Sequence, residues 1–306
     1  MDTKQIEYIL KIAEENNITK AAEKLFITQS ALNQQLLKLE KELGTPLFHR
    51  SRTNWRLTEA GEIYIEGAKA ALQIKNTTYN RIYDVVSARK GHLTIGLTPG
   101  RGLRMFTAIY PELHRSFPNL DVRPIEMRVR AQQDAIAKGE IDVGLMTLAR
   151  RDQTSDTYYP LKQEELVLII PAGHPLAEKA APSGEPLATL DLTELRYEPF
   201  VLMDKTSTLR SSCDLLFEKA GFAPNILFET NNTSGIAAMV QSTLCCGIIP
   251  RYYTLGLTEG VACFSLPERP SWEIVISCQK NAYLNSGARE FIRLAREYWE
   301  NSAQLF

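Results

Sequence analysis

Residues 18–62 read ITKAAEKLFITQSALNQQLLKLEKELGTPLFHRSRTNWRLTEAGE. Between Gln29 and Leu43 the apolar residues Leu32, Leu36, Leu39 and Leu43 are spaced by four, three and four, the stripe of a helix packed along one side. Gly44 stands where helices commonly end in a left-handed residue. Ahead of this helix, Thr19 is placed to cap a short one from Lys20 to Leu25, and Phe26-Ile27-Thr28 make a three-residue corner. Upstream, Thr3 is placed to cap a first helix with inner face Ile6, Ile9, Leu10 and Ala13, broken at Asn16-Asn17. Two helices, a corner and a third helix presenting Gln29, Ser30, Asn33, Gln34 and Lys38 outward form a helix-turn-helix arrangement, with Thr28 at the corner's end. Amides and hydroxyls there suit base edges, and the lysine suits phosphate. A plain three-helix cluster with a solvated polar face has the same composition.

Outward from the third helix, residues 44–58 carry Arg50, Arg52 and Arg56, with His49 and no acid. Leu47, Phe48, Trp55 and Leu57 flank a Ser-Arg-Thr-Asn tip, the pattern of a small β-hairpin wing whose cations sit where phosphates would pass. Thr58 then caps a long helix to about Val86. Its residues Gly61, Ile65, Ala68, Leu72, Lys75, Tyr79, Ile82 and Val86 alternate by four and three, with Lys75 the one polar member. A narrow seam of period 3.5 predicts a two-stranded coiled coil, hence a homodimer through residues 59–87. The competing reading is a helix packed on its own domain.

From Leu93 the pattern becomes strands alternating with helices. LTIGL, DVRPIEM and EIDVGLM read as strands around helical stretches at 102–116 and 131–138, which implies a parallel sheet with right-handed crossovers. EELVLIIP, PFVLM, NILFET, CGIIP, VACFSL and WEIVISCQ follow, and a helix at about 286–299 closes the chain. Two α/β units with a late return segment predict two lobes and a cleft between them. The expected class is therefore α + α/β. The expected domains are 1–58, the linker helix 59–87, and 88–306, with one lobe at about 91–160 and 268–306 and the other at about 161–267.

Composition sets limits on function. Net charge is −1 overall, divided as +3 over residues 1–90 and −4 over the rest. The opening MDTKQIEYIL is too polar for a secretory signal, and no apolar run is long enough to span a membrane, so a cytoplasmic protein with no membrane partner is expected. Cys213, Cys245, Cys246, Cys263 and Cys278 show no CxxC spacing and read as reduced, buried thiols. The four histidines are scattered, and phosphate-loop, GxGxxG and nucleophile-elbow motifs are absent. No catalysis, cofactor or metal is expected.

At this point residues 18–62 resemble the signature of LysR-type transcriptional regulators almost position for position. The matching elements are Ala21-Ala22, Leu25, Thr28 to Leu32, Leu39-Glu40, Leu43-Gly44, Leu47 to Arg50, and Leu57 to Gly61. A weaker resemblance continues through Gly139 to Val143, Gly173 to Ala177 and Gly247 to Pro250. The resemblance implies a winged helix-turn-helix, a linker helix and a periplasmic-binding-protein-like effector domain. It also implies a homotetramer on an interrupted palindrome of double-stranded DNA, responding to a small-molecule effector. Asn33 and Gln34 depart from the Ser and Arg common in the family, which favours adenine contacts. Thr243 and Cys245 replace usual glycines.

Three segments join strand ends to helix starts: Thr98-Pro99-Gly100-Arg101, Thr206-Ser207-Thr208 and Asn231-Asn232-Thr233-Ser234. By the resemblance they line the effector cleft. Helix N-termini and hydroxyls there suit a small polar or carboxylate-bearing effector. Simple N-capping accounts for the same residues. Two alternative functions are a thiol-based redox regulator, and a solute-binding protein or enzyme on the same two-lobed fold. The family's peroxide sensors place their reactive cysteine immediately before a Leu-Arg pair, and ahead of Leu209-Arg210 this chain has Thr208.

Overall fold

The computed structural model describes residues 2–51, 55–86, 89–182, 184–255, 257 and 259–301. Arg52 with its wing-tip neighbours, and the expected linker boundary at 87–88, lie outside the described residues. The chain forms two compact units, the first built on Met1–Val86, the second on Ser87–Ala137 and Ile141–Phe306.

In the first unit, α1 (Thr3–Glu15) is capped by Asp2, whose carboxylate accepts from Lys4 N, and it closes at Asn16 in the left-handed region. Helix α2 (Ile18–Lys24) is capped by Asn17, whose amide oxygen accepts from Thr19 N and Lys20 N. Both caps fall ahead of the expected threonines, because an Asp or Asn side chain reaches the same backbone amides and starts the helix sooner. Helix α3 (Gln29–Leu43) has the expected ends: Thr28 Oγ1 accepts from Ala31 N, and Gly44 takes φ 73°. Leu32, Leu36 and Leu39 are buried against Ile9, Ile12 and Ala21, but Leu43 is 44% exposed because the chain turns away at Gly44. The wing is an antiparallel pair, β1 (Phe48–His49) and β2 (Arg56–Leu57), with Phe48 opposite Leu57.

Helix α4 (Glu59–Val85) divides the expected seam in two. Gly61, Ile65 and Ala68 are buried, and Ile65 belongs to the core under α1–α3. A Cβ on Gly61 would lie 2.1 Å from the Leu47 carbonyl oxygen, so only glycine permits this approach. Packing on its own domain therefore holds for the first turns. Leu72 and Lys75 are half-buried, while Tyr79, Ile82 and Val86 are exposed.

The second unit has two lobes. In the first lobe, β3 (Lys90–Leu97) pairs in parallel with β4 (Asn119–Glu126) and β5 (Val143–Leu148). Helices α5 (Arg101–Ser116) and α9 (Ser286–Asn301) cover one face through Phe106, Phe291 and Trp299 on Ile95 and Leu145. Helix α6 (Val129–Ala137) covers the other through Ile136 on Met146. The 15-residue strand β6 (Thr157–Pro171) runs through both lobes. Residues 157–165 pair with β11 (Ser271–Cys278), and residues 166–171 pair with β9 (Gly247–Pro250) and β10 (Val261–Ser265).

All of these β6 pairings are antiparallel, as is β11 on β5. The parallel sheet expected for the first three strands is present in β3, β4 and β5, and the antiparallel β6 and β11 make the full sheet a mixed one. The expected lobe boundary at 160–161 falls inside β6, whose pairing changes between Glu165 and Leu166. The second lobe adds the parallel pair β7 (Pro199–Met203) and β8 (Asn225–Thr230). Helix α7 (Thr208–Lys219) packs on Leu168 and Ile170 through Leu209 and Phe217, and α8 (Thr233–Gln241) on Val167 and Ile169 through Ile236 and Val240. Among the described residues no helix is long and apolar enough to cross a membrane.

Candidate functional site

The outer face of α3 presents Gln29, Ser30, Gln34 and Lys38 to solvent, with Asn33 half-buried and Thr28 exposed at the cap. Thr19 Oγ1 donates to Gln29 Oε1 at 3.0 Å, which engages the carbonyl end of that amide and turns its NH2 end to donor work. Thr28 Oγ1 lies 3.1 Å from Ser30 Oγ and serves the helix as its cap. Arg50 donates to the buried Glu40 carboxylate, which also accepts from Leu47 N at 2.8 Å, and its guanidinium stacks 5.5 Å from the Trp55 ring. This pairing ties the wing to α3, and both Arg50 and Arg56 stay exposed among the described residues.

In the second unit four strand-to-helix junctions converge on one cavity of about 620 Å³. The β3–α5 junction brings Thr98, Pro99, Gly100 and Arg101, and the β7–α7 junction brings Thr206, Ser207 and Thr208. Asn232 and Thr233 arrive at the start of α8. All the residues expected to meet an effector therefore line one space. The first residues of α5, α6, α7 and α8 (Arg101, Val129, Thr208 and Thr233) all face it, and helix N-termini carry partial positive charge. Capping is also present: Ser207 Oγ accepts from Leu209 N at 3.2 Å, and Asn232 Oδ1 from Ser234 N at 3.0 Å. The capping reading therefore holds, and the same residues line the cavity. Thr208 Oγ1 is committed elsewhere, donating across the lobes to Thr147 O at 2.9 Å.

Arg101 is already neutralised. Its guanidinium grips Glu164 through two hydrogen bonds of 2.6 and 3.2 Å, with both side chains under 5% exposed. Glu164 also accepts from Tyr252 N at 2.9 Å and Trp272 Nε1 at 2.8 Å. Tyr252 and Tyr253 lie beside the guanidinium at 4.8 and 5.2 Å. Burial pushes the Tyr253 phenol above its usual range. Arg101 therefore lines the floor of the cavity as a cation already paired with Glu164.

Three charged residues of the cavity, Arg104, Arg128 and Asp204, lie outside the expected set. Arg104 donates to Tyr252 Oη at 3.4 Å, and Arg128 donates to Asp204 Oδ1 at 2.8 Å and to Thr206 Oγ1. Burial works against the Asp204 charge, but hydrogen bonds from Thr206 and Arg128 outweigh it and hold the carboxyl below the usual range. Arg128 could have been found: β4 also ends at a helix start, but that junction carries arginine rather than the hydroxyls that marked the other three. The aromatic wall of Tyr252, Tyr253 and Trp272 had no such signal, since aromatics are common core residues.

All five cysteines are free, four of them buried and Cys263 half-buried. Burial pushes the Cys213 and Cys246 thiols up to about 12 and Cys263 to about 11, the opposite of what a thiolate switch needs. Among the described residues no cluster of His, Cys, Asp and Glu could hold a metal ion.

Comparison with known proteins agrees with this architecture. Residues 3–62 match the family described as bacterial regulatory helix-turn-helix protein, lysR family, and residues 87–300 match the LysR substrate binding domain. The chain is 30% identical over 309 residues to the uncharacterized HTH-type transcriptional regulator YcgK of Bacillus subtilis, covering 97% of this chain and 94% of that one. It is 26% identical to the Hca operon transcriptional activator HcaR of Escherichia coli, covering 97% and 98%. Among solved structures, a full-length OxyR variant from Pseudomonas aeruginosa aligns with a TM-score of 0.68 at 22% identity, covering 98% and 95%. Full-length CbnR in complex with its target DNA aligns with a TM-score of 0.65 at 20% identity, covering 97% and 100%. With both halves matched, the chain belongs to the LysR family of transcriptional regulators, with a DNA-binding helix-turn-helix and an effector-binding domain.

Proposed function

We propose that this regulator couples the occupancy of its inter-lobe cavity by a small polar or anionic metabolite to its grip on DNA. The observation that carries the reading is the convergence of four helix starts and their hydroxyl, amide and arginine side chains on one cavity of about 620 Å³, a size suited to a small ligand. On the DNA side, α3 enters the major groove, where Gln29, Ser30, Asn33 and Gln34 meet base edges, while Lys38 and the wing meet phosphate. The exposed end of α4 joins two chains so that two recognition helices read one interrupted palindrome, and pairs of dimers form a tetramer. The CbnR complex with target DNA supports that side of the reading.

The test uses the purified full-length chain and a labelled duplex from upstream of its own gene. A small-molecule fraction of cell extract should shift operator affinity by about tenfold or more, the size of ordinary allosteric coupling. Operator binding that ignores every fraction overturns the proposal.

A further inference from the structure

We infer that Arg128 and Asp204 form a latch across the cleft, and that the effector is a small carboxylate that takes Arg128 away from Asp204. The inference rests on reading the cavity as an effector site. Arg128 lies between β4 and α6 in the first lobe, Asp204 between β7 and α7 in the second, and both line the cavity. Of the cavity's arginines, Arg101 cannot be recruited, because freeing it would leave the buried Glu164 charge unpaired. Arg128 is different. Its side chain is 46% exposed and that of Asp204 25%, so the pair is partly solvated and easily exchanged.

The latch is also chemically incomplete. Asp204 offers Arg128 only Oδ1, while Oδ2 is buried with no hydrogen-bond partner among the described residues. A guanidinium favours two parallel bonds to both oxygens of a carboxylate, which a free carboxylate in the cavity can supply. Asp204 can release Arg128 without unravelling its loop, because Oδ1 also accepts from Thr206 N at 2.9 Å and from Thr206 Oγ1. Once released, the Asp204 carboxylate faces another anion. That repulsion pushes the β7–α7 junction away from the β4–α6 junction and loads the nearby lobe-to-lobe bonds from Thr208 to Thr147 and from Arg151 to Ser212.

The test compares full-length wild type, D204N and R128Q by isothermal titration calorimetry with acetate, pyruvate, succinate, benzoate and their amides. Asparagine keeps the oxygen that Thr206 N needs, and D204S is a second uncharged variant should D204N fold poorly. At least one carboxylate should bind D204N or D204S about tenfold more tightly than wild type and R128Q about tenfold more weakly, with no binding of the amides. Failure of the folded Asp204 variants to bind any carboxylate overturns the inference, as does binding that R128Q leaves unchanged. The broader reading fails separately, if no extract fraction alters operator binding by wild type. If a fraction does, but both variants respond to it as wild type does, only the latch falls.

Discussion

Arg50 illustrates how a charge can be spent inside the protein that carries it. Glu40 is 9% exposed and takes hydrogen bonds from Leu47 N and Arg50, so removing the arginine strands a buried carboxylate. Arg50→Ala should cost about 1–3 kcal/mol in urea unfolding, and Glu40→Gln in the same chain should recover most of it. In DNA titrations, Arg56→Ala should lower the log–log salt slope by about one unit and Arg50→Ala by clearly less. An equal drop for both would return Arg50 to the interface. Thr243 is a second case. It stands where the resemblance leads one to expect glycine, and it keeps the conformation a glycine would have, φ 66°. A β-branched residue there is strained, so Thr243→Gly should raise stability by about 0.5–1 kcal/mol despite glycine's looser unfolded chain. A lower urea midpoint would show that the Thr243 side chain contributes more than its backbone costs. What the sequence could not reveal at this scale was partnership. The carboxylates that pair with Arg50 and Arg101 lie 10 and 63 residues away, and no local pattern announces either.

Helix α4 shows what periodicity determines and what it leaves open. Its 27 residues begin at the expected cap and carry a continuous four-three seam, yet that seam serves two purposes. Ile65→Ala should therefore act as a core deletion, costing about 2–4 kcal/mol in unfolding while leaving the oligomer intact when folded. Ile82 is 51% exposed, and Ile82→Glu should leave stability of the first unit nearly unchanged while splitting the dimer and abolishing tight operator binding. Light scattering decides it, because an unchanged mass for Ile82→Glu would remove α4 from the interface. Elements with strong local signals were legible: α3 from its cap and terminal glycine, α4 from its seam, and the strands of the effector domain from their apolar runs, apart from the first half of β6. Strand direction was legible where strands alternate with helices and not elsewhere, because a run such as Glu164–Pro171 looks the same whichever neighbour it pairs with. The cavity was legible in its hydroxyl-bearing loops and hidden in its aromatic wall.

At the scale of the molecule, the thiols make a statement about pH. An ordinary cysteine titrates near 9.0, whereas Cys213 and Cys246 are held at about 12 and Cys263 at about 11. Raised values mean that the folded state keeps these protons. Their contribution is complete below pH 9 and is lost as pH climbs through 9 toward 11–12, because the unfolded chain ionises first. The urea midpoint should fall between pH 8 and 10, and the fall should shrink when the three are replaced by alanine. Mild peroxide should leave operator affinity and thiol count unchanged, and a change in either would revive the redox reading.

Strand β6 runs unbroken through both lobes, and the return from β10 to β11 lies beside it, with Leu166 N bonded to Pro270 O at 2.7 Å. The joint is thus a two-stranded ribbon, a flat spring rather than a ball-and-socket. Such a ribbon flexes across its thin dimension and resists shear in its plane, so the lobes should swing and twist about one line without sliding past each other. Side chains alternate across β6, so a small roll of the strand at Glu165 re-aims the neighbouring Glu164 and with it the Arg101 floor of the cavity. If a ligand moves the lobes, the motion should then be a torsion of this ribbon, and stiffening the ribbon should dull the proposed response even with every binding group intact.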